Sequence, residues 1–396
     1  MKIRISKNHI GQLCFYFSYS IFLLFSLLST SLYYKYFYGA TYKTILIVCL
    51  LFLILKELTH NKYNYKDIIL LLLVIISSVI TFMAATNTEQ KTIPLMIVFI
   101  YSARNIDFKK IAQISLVISS FVLGFVIVSS YFNIIENFFV NKADRTREYL
   151  GFRYALNSAT IFSNIVFLKI YIDKEKIKLK TLGILFIINY LIYIYTDSRL
   201  TSFISLCFII FAIIIKYLPN VKLRLLYYVF PFMYLICSTI SIYFTINYKM
   251  LSNWQYNLNS MLSGRLSLGQ DSIQTYGYGL FWKKLYLVGN GLDVNGEINF
   301  TSYNYVDNLY VQVLQRYGII FIILLIIILT VVMFYITKLK DNYLLVIFAL
   351  LAIHGIIDDL IIYPYYNTFW FILGHIYYNS STKFINIHKK QRNLNY

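Results

Sequence analysis

The sequence predicts an all-α polytopic membrane protein with about twelve transmembrane helices and one long extracytoplasmic loop, and three observations support this fold class. Hydrophobic residues make up 59% of the 396 positions, charged residues only 13%, and the mean hydropathy is +0.64. Apolar runs approaching about 20 residues recur, which is the length that crosses a bilayer core. The runs lack the alternation of an outer-membrane β-barrel, and backbone groups in lipid must be hydrogen-bonded internally, so we expect helices.

The apolar runs divide residues 1–396 into the spans of a single integral membrane domain. The second and fourth spans are short, and no internal repeat relates the two halves of the chain. The longest polar segment, residues 247–303, separates the ninth span from the tenth. The predicted spans are 11–34, 44–55, 67–86, 91–102, 111–132, 155–172, 181–196, 200–217, 223–246, 310–337, 342–357 and 366–379.

The distribution of basic residues predicts the topology. The formal net charge is +19, which in a soluble protein would suggest nucleic acid as a partner. Here, if the N-terminus is cytoplasmic, the inner segments carry 22 Lys and Arg residues and the longer outer segments carry 12. This asymmetry follows the positive-inside rule, so we expect both termini in the cytoplasm, an extracytoplasmic long loop and no nucleic-acid partner. The abundance of Ile, Lys, Asn and Tyr suggests an AT-rich bacterial genome and hence the bacterial cytoplasmic membrane.

Composition and motifs limit the chemistry. The basic N-terminus leads into an apolar run without a small-residue cleavage site, which favours a retained first span over a signal peptide. The four cysteines lie in or beside apolar runs and are not spaced like a disulfide or metal pair. The chain lacks zinc-ligand spacing, a phosphate-binding Gly loop and an Asp-x-Asp motif. We therefore expect no metal, no cofactor and no nucleotide-sugar substrate.

The long loop is rich in aromatic residues and contains no proline between residues 254 and 291. Trp254 and Trp282 are typical of a membrane interface. "LVGNG" at 287–291 predicts a tight turn in which Gly289 and Gly291 adopt conformations that other residues avoid. A surface loop that is only anchored by aromatic side chains explains these features as well as a loop with a functional role does.

Five arginines in predicted outer segments run against the positive-inside bias and so need another explanation. Three precede the sixth span, one lies between the seventh and eighth spans, and one lies in the long loop. Solvation or pairing with Asp144 or Glu148 is an alternative for Arg147 and Arg153, and a turn contact with Asp197 is an alternative for Arg199. The five are Arg145, Arg147, Arg153, Arg199 and Arg265.

Several motifs resemble Wzy-type O-antigen and capsular polysaccharide polymerases, of the polymerase and ligase superfamily with a GT-C-like fold. "SGR" at 263–265, an aromatic-rich stretch and then "GNG" resemble that family's long outer loop. Four further stretches resemble family segments in the same order, and together the matches cover most of residues 145–374. These stretches are "RTREYLGFRYALNSATIF" (145–162), "TDSRLTSFISL" (196–206), "VDNLYVQVLQRYGIIFIILLIII" (306–328) and "IHGIIDDLIIYPYYNTFWFILG" (353–374).

The chain departs from the family pattern at two places. Asp307 stands where many relatives have His, and Tyr154-Ala155 replaces a frequent His-Pro pair. A mechanism that depends on histidine at either place does not carry over to this chain.

The resemblance implies a glycosyltransferase that joins oligosaccharide repeat units carried on polyprenyl diphosphate at the outer face of the membrane. It also implies capsule, exopolysaccharide or O-antigen biosynthesis, with membrane lipids as surroundings and a chain-length regulator and a flippase as partners. The leaving lipid diphosphate concentrates negative charge, and the fork of arginine donors matches phosphate oxygens. Arg265, with Gly264 giving backbone room, and Arg147, Arg153 and Arg199 are the expected diphosphate ligands.

Other polar residues near the predicted outer boundary are candidates for proton transfer or sugar binding. His354 and Asp358 are four residues apart and, on one helix face, would form a proton acceptor for the attacking hydroxyl or a structural polar pair. Asp307 and Asn308 would bind sugar hydroxyls or cap the following helix, and the cap is favoured. Arg316 is expected to snorkel to the interface rather than line the cavity.

Two other functions fit part of the sequence. A lipid-linked oligosaccharide flippase would share the number of spans and the cationic residues, but transporters often show internal repeats and charges near the midplane. A ligase that transfers finished polymer would share the residues named above. A non-catalytic scaffold would leave the outer arginines without a role.

Overall fold

The computed structural model describes residues 7–59, 63, 65–87, 89–142, 145–217, 224–298 and 303–376, and this part of the chain is mostly helical. Eight of its helices are long and apolar enough to cross a membrane, as in a polytopic α-helical membrane protein. In chain order the α-helices of the described part are α1 (Lys7–Leu28), α2 (Ala40–Leu58), α3 (Tyr65–Ala84), α4 (Ile93–Ser102), α5 (Phe108–Tyr131), α6 (Ala155–Asp173), α7 (Leu179–Thr196), α8 (Arg199–Tyr217), α9 (Arg224–Val229), α10 (Met233–Ile246), α11 (Asn253–Met261), α12 (Arg265–Tyr276), α13 (Leu309–Tyr317), α14 (Ile319–Leu339) and α15 (Asn342–Ile357).

The predicted count of twelve spans stays a prediction, because several predicted spans are short or interrupted. Helix α2 has 19 residues but carries Lys43, Lys56 and Glu57, and α4 has only 10 residues. Helix α15 has 16 residues. The last predicted span, 366–379, begins as a 3-10 turn, and its residues beyond 376 lie outside the described part.

Two predicted spans are divided in the structure. The span 310–337 is split at Gly318 (φ 91°, ψ 170°) into the short α13 and the long α14. The span 223–246 is split into α9 and α10 by a 3-10 turn that contains Pro231, since proline disrupts helical hydrogen bonding. Average hydropathy is insensitive to either break.

A small β-hairpin lies in the predicted outer segment 133–154, which departs from a purely helical fold. Its strands are β1 (Phe139–Lys142) and β2 (Arg145–Glu148), paired antiparallel with Val140 opposite Arg147. The hairpin leads into Gly151 at φ 80°, after which the chain enters α6.

Segments predicted to lie on the same side of the membrane meet at the same end of the bundle. At one end, named here the site end, the outer segments contact one another or the outer ends of spans through Arg153 and Ser29, Thr86 and Leu285, Arg147 and Thr196, and Tyr305 and Asp359. At the opposite end the inner segments contact one another through Arg104 and Glu57, Lys174 and Asp341, and Lys216 and Ile177. The alternation predicted from charge therefore agrees with the packing.

Helices α6, α13 and α15 form the centre of the site end. All nine residues of α13 are buried, as are most residues of α6 and α15. Helix α6 packs against α5, α7, α8 and α15. It presents small polar groups such as Asn164, whose amide donates to the Thr368 hydroxyl at 3.0 Å. Polar groups inside this centre thus bond between helices.

Candidate functional site

A cavity of about 370 Å³ opens at the site end between α1, α6 and the loops before α4, α13 and after α15. Its volume falls at the lower end of the range for small-molecule sites, about 300–1,000 Å³. Tyrosine rings, amides and four charged side chains share the wall. The tyrosines are Tyr34, Tyr38, Tyr154, Tyr303, Tyr305 and Tyr366, and the charged residues are Glu89, Arg153, Asp307 and Asp359.

Asp307 forms one side of the cavity wall. The Tyr303 hydroxyl donates to Asp307 Oδ2 at 2.9 Å, and Arg265 Nη2 lies 3.9 Å from the same oxygen. Burial raises the pKa of the Asp307 carboxyl above its usual range, and the charges of Arg265 and Arg147 oppose that rise. A buried carboxyl of this kind accepts hydrogen bonds from hydroxyl groups and can exchange a proton with them.

Asp359 lies between this cavity and a second, much smaller one of about 10 Å³. Its Oδ2 accepts from the Tyr305 hydroxyl at 2.7 Å and from Gln312 Nε2 at 3.0 Å. Its Oδ1 is buried and has no hydrogen-bond partner among the described residues. Burial, reinforced by the charges of Asp358 and Asp307, raises the pKa of Asp359 well above its usual range. Asp359 is not among the site residues predicted from the sequence.

Arg265 is the first residue of α12 and ties three elements together behind Asp307. Its Nε donates to Ile357 O at 2.7 Å and to Asp307 O at 3.2 Å, and its Nη1 donates to Leu262 O at 2.9 Å. Arg265 is therefore adjacent to the cavity but is not one of its lining residues. Gly264 precedes it at φ 84°, a left-handed conformation that explains glycine at the start of this helix.

His354 and Asp358 are close to each other, as predicted, but not on one helix face. Helix α15 ends at Ile357, and Asp358 has an extended backbone (φ −155°) that still brings its Oδ2 to 3.4 Å from His354 Nε2. Thr160 donates to the same oxygen at 3.3 Å, and Thr201 Oγ1 lies 3.5 Å from His354 Nε2. Both side chains are buried and neither lines the cavity, so a catalytic role for the pair stays a prediction.

Arg153 lines the cavity and holds two distant loops against α1. Its Nε donates to the carbonyls of Leu292 and Asp293 at 3.0 and 3.1 Å, and its Nη1 donates to Ser29 O at 3.2 Å. Nη1 also pairs with Glu89 Oε1 at 3.3 Å. The acidic partner is thus Glu89, whereas the sequence suggested Asp144 or Glu148, and Asp144 lies outside the described residues.

The other two predicted phosphate ligands lie at the junction of α7 and α8. Arg147 Nε donates to Thr196 O at 2.9 Å, and Arg199 Nε donates to Asp197 Oδ1 at 2.9 Å. The Arg199 side chain is 54% exposed, so this local turn contact, weighed as the alternative, is what the structure shows. The side chain of Arg145 lies outside the described part.

Asn308 caps α13, and Arg316 lies inside the protein. The Asn308 side chain accepts from Tyr310 N and Val311 N at 3.1 and 3.2 Å, which is the cap favoured from the sequence. The predicted snorkelling of Arg316 is wrong: the side chain is 2% exposed and bonds Gln90 Oε1, with Gln312 Oε1 at 3.5 Å. The amide oxygens of these two glutamines accept from its guanidinium inside the bundle, away from the interface.

The predicted tight turn around Gly289 and Gly291 does not use left-handed backbone. The positive-φ glycines of the long loop are Gly264, Gly277 and Gly296. A Cβ at Gly289 would lie 3.4 Å from the Tyr305 ring, an ordinary van der Waals contact, so packing does not require glycine at this position.

Comparison with known proteins gives no match: no family model, curated protein or solved structure is similar to this chain. Within the described part, no three His, Cys, Asp or Glu side chains come together as potential metal ligands.

Proposed function

We propose that this protein is a polysaccharide polymerase that joins polyprenyl-diphosphate-linked oligosaccharide repeat units at the outer face of the bacterial cytoplasmic membrane. The observation that carries the proposal is the tyrosine- and carboxyl-lined cavity at the site end, where the predicted outer segments converge. Tyrosine pairs an apolar face with a hydroxyl, which suits a sugar ring and its hydroxyl groups. The motif resemblance described above points to the same substrate class.

Arg265 and Arg147 are the proposed ligands for the diphosphate of the donor. Arg265 lies behind the cavity wall, with its Nη2 3.9 Å from Asp307 Oδ2, and Arg147 lies at the junction of α7 and α8, where it donates to Thr196 O. Positive charge held there favours the transition state in which the bond from sugar C1 to the diphosphate oxygen breaks and the diphosphate leaves with the electron pair. The attacking hydroxyl of the next unit forms the new glycosidic bond and gives up its proton.

Asp307 presents a carboxyl to an acceptor hydroxyl in the cavity. Its carboxyl lines the cavity, whereas the His354 and Asp358 pair lies outside the lining. A proton acceptor must come within hydrogen-bond reach of the proton that it removes. We therefore rank Asp307 above His354 as the group that receives the acceptor proton, with His354 as the second candidate.

An apolar groove supports a lipid-linked substrate. It has a volume of about 700 Å³ and runs between α2, α3 and α4, from Glu57 and Tyr63 to Phe82, Met83 and Pro94. The latter end adjoins the segment 85–92, which contributes Asn87 and Glu89 to the cavity wall. A polyprenyl chain in this groove would place its head group at the site end.

The groove is tested by crosslinking. A photoreactive residue at Val79, in the groove, should capture a polyprenyl-linked probe, and the same residue at Val117, 68% exposed on α5, should not. Equal capture at both positions would mean that the groove has no preference for the chain.

The function itself is tested in a deletion strain complemented with Arg265→Ala or Arg265→Lys. We expect single lipid-linked repeat units to accumulate at the outer face with Arg265→Ala, and an intermediate amount with Arg265→Lys, which keeps the charge but loses the donor fork. Lys284→Ala removes an exposed positive charge from the same loop and serves as the control. Because Arg265 also bonds three backbone carbonyls, protein level and melting temperature must match the wild type.

The location of the accumulated units separates the alternatives. A flippase defect would hold the units at the inner face, and a ligase defect would leave finished polymer on the lipid carrier. Normal long polymer from well-expressed Arg265→Ala would remove this residue from the mechanism.

A further inference from the structure

Carboxyl groups outnumber cationic groups on the cavity wall. Glu89, Asp307 and Asp359 contribute carboxyl groups, and Arg153 contributes the one guanidinium among the described lining residues. The neighbouring cations Arg265 and Arg316 are not on this wall, so a ligand in the cavity meets carboxyl oxygens before it meets those positive charges.

Two of the three nitrogens of the Arg153 guanidinium are already engaged by the protein, and its charge is paired with a carboxylate. Its Nε is shared by two backbone carbonyls, and its Nη1 is shared by Ser29 O and Glu89. The Glu89 carboxylate at 3.3 Å already balances its charge. An incoming carboxylate would have to displace Glu89 or bind next to it.

The two aspartates offer acceptor oxygens to hydroxyl groups. Asp359 Oδ1 is unpartnered among the described residues, and Asp307 accepts from a single tyrosine hydroxyl at Oδ2. Hydroxyl donors on a sugar would satisfy these oxygens, and a bond to an ionised carboxylate is stronger than one between neutral groups. A buried acceptor left unsatisfied is unfavourable, which adds to the preference for a donor ligand.

We propose that the cavity binds the terminal sugar of the acceptor unit and selects by charge, taking an uncharged hexose and rejecting a hexuronic acid. This inference rests on the proposed function for its carbohydrate ligand. If the wall carboxyls are ionised, a uronate is repelled by like charges. If Asp307 and Asp359 are protonated while Glu89 stays paired with Arg153, the uronate is desolvated without an unpaired cation to balance it. The preference therefore holds whether Asp307 and Asp359 are ionised or protonated.

The test uses soluble probes on the full-length protein in nanodiscs, so that polymerase activity is not needed. The methyl glycosides of glucose, galactose and mannose are each compared with the matching uronate, which differs only at C6, by saturation-transfer NMR. We expect at least one hexose to bind and its uronate to bind at least about tenfold more weakly, since like-charge juxtaposition costs more than that factor.

Glu89→Gln supplies a gain-of-binding arm. This substitution leaves Arg153 without its carboxylate partner, so uronate affinity should rise toward that of the hexose. The control is Glu297→Gln, at an exposed position outside the cavity lining, which should leave the ratio of hexose to uronate affinity unchanged.

The outcomes distinguish this inference from the proposed function. Equal binding of hexose and uronate by the wild-type protein overturns the charge selection. The lipid-linked intermediates that accumulate in the deletion strain then still decide whether the protein is a polymerase. A cavity that binds no sugar of any pair overturns the assignment of the ligand class, even if the deletion strain shows a polymerase defect.

Discussion

Gly318 is the position where a single methyl group should do most damage to the site end. Its backbone (φ 91°, ψ 170°) lies in a region that only glycine occupies readily, and a side chain there costs about 1–3 kcal/mol. A Cβ would also lie 2.5 Å from Leu280 O and 2.7 Å from Phe281 O. Both atoms belong to the backbone and cannot move away as a side chain can. Overpacking therefore destabilises the folded state by about a further 1–3 kcal/mol, in addition to the backbone strain.

The expected loss of stability for Gly318→Ala is thus about 2–6 kcal/mol. The contact also positions the loop, because Ile319 N donates to Gly279 O at 2.9 Å and Lys283 N donates to Arg316 O at 2.9 Å. At roughly 2 °C per kcal/mol, the lower value for large domains, the melting temperature should fall by about 4–12 °C. Proteolysis of the segment 277–292 should accelerate in parallel.

Gly124→Ala is the matched control. Gly124 is exposed on α5, its φ is not positive, and a Cβ there meets no atom within 4 Å. The control should melt at the wild-type temperature or slightly above it, because alanine is the better helix former by about 0.5–1 kcal/mol. If the Gly318→Ala variant has the same melting temperature and the same protease resistance as the Gly124→Ala variant, the strained junction at Gly318 does not hold the loop in place.

Four further predictions concern chemistry and topology. Asp307→Asn should lower polymer formation more than His354→Gln in cells with matched protein levels. A larger loss with His354→Gln would mean that His354, rather than Asp307, is the proton acceptor. Activity of the purified protein should survive EDTA, and loss that a divalent cation restores would refute a mechanism based on arginines alone. Burial raises the pKa of Asp359, so the protonated carboxyl contributes fully to stability below about pH 4, and this contribution is lost as pH rises through the folded-state pKa. The melting temperature should therefore fall over that pH range. The fall should be smaller in Asp359→Asn, which cannot ionise at this position. Reporters fused after Tyr276 and after Lys178 should read extracytoplasmic and cytoplasmic respectively, and opposite signals would invert the map.

The arrangement of segments could be predicted from the sequence because charge and hydropathy are local properties. Grouping by basic residues put the segments of Arg153, Asp359 and Leu285 on one side, and those segments are in contact. The break at Gly318 could not be predicted in this way, since apolar residues follow it without interruption. Only the close approach of the loop carbonyls of Leu280 and Phe281 makes glycine necessary there.

The site was harder to predict because its partners are remote in sequence. Arg153 was recognised as unexplained by topology, but its partner Glu89 is 64 positions away and is not marked by any motif. The helical spacing of His354 and Asp358 drew attention away from Asp359. Since the helix ends at Ile357, the chain turns there and directs Asp359, rather than its neighbour, to the cavity.

The buried α13 bears on how the protein is made. Arg316 and its neighbouring glutamines give α13 little tendency to enter lipid alone, whereas α14 is the most apolar of the candidate spans and can anchor the chain unaided. The Tyr310 hydroxyl bonds Ala352 O, and Arg265 bonds Ile357 O, both in a helix that is synthesised later. A nascent chain that has just inserted α14 therefore carries a Tyr310 hydroxyl and an Arg265 guanidinium whose acceptors in α15 have not yet been synthesised. The packing of α12 and α13 at the site end is completed only when α15 joins the bundle.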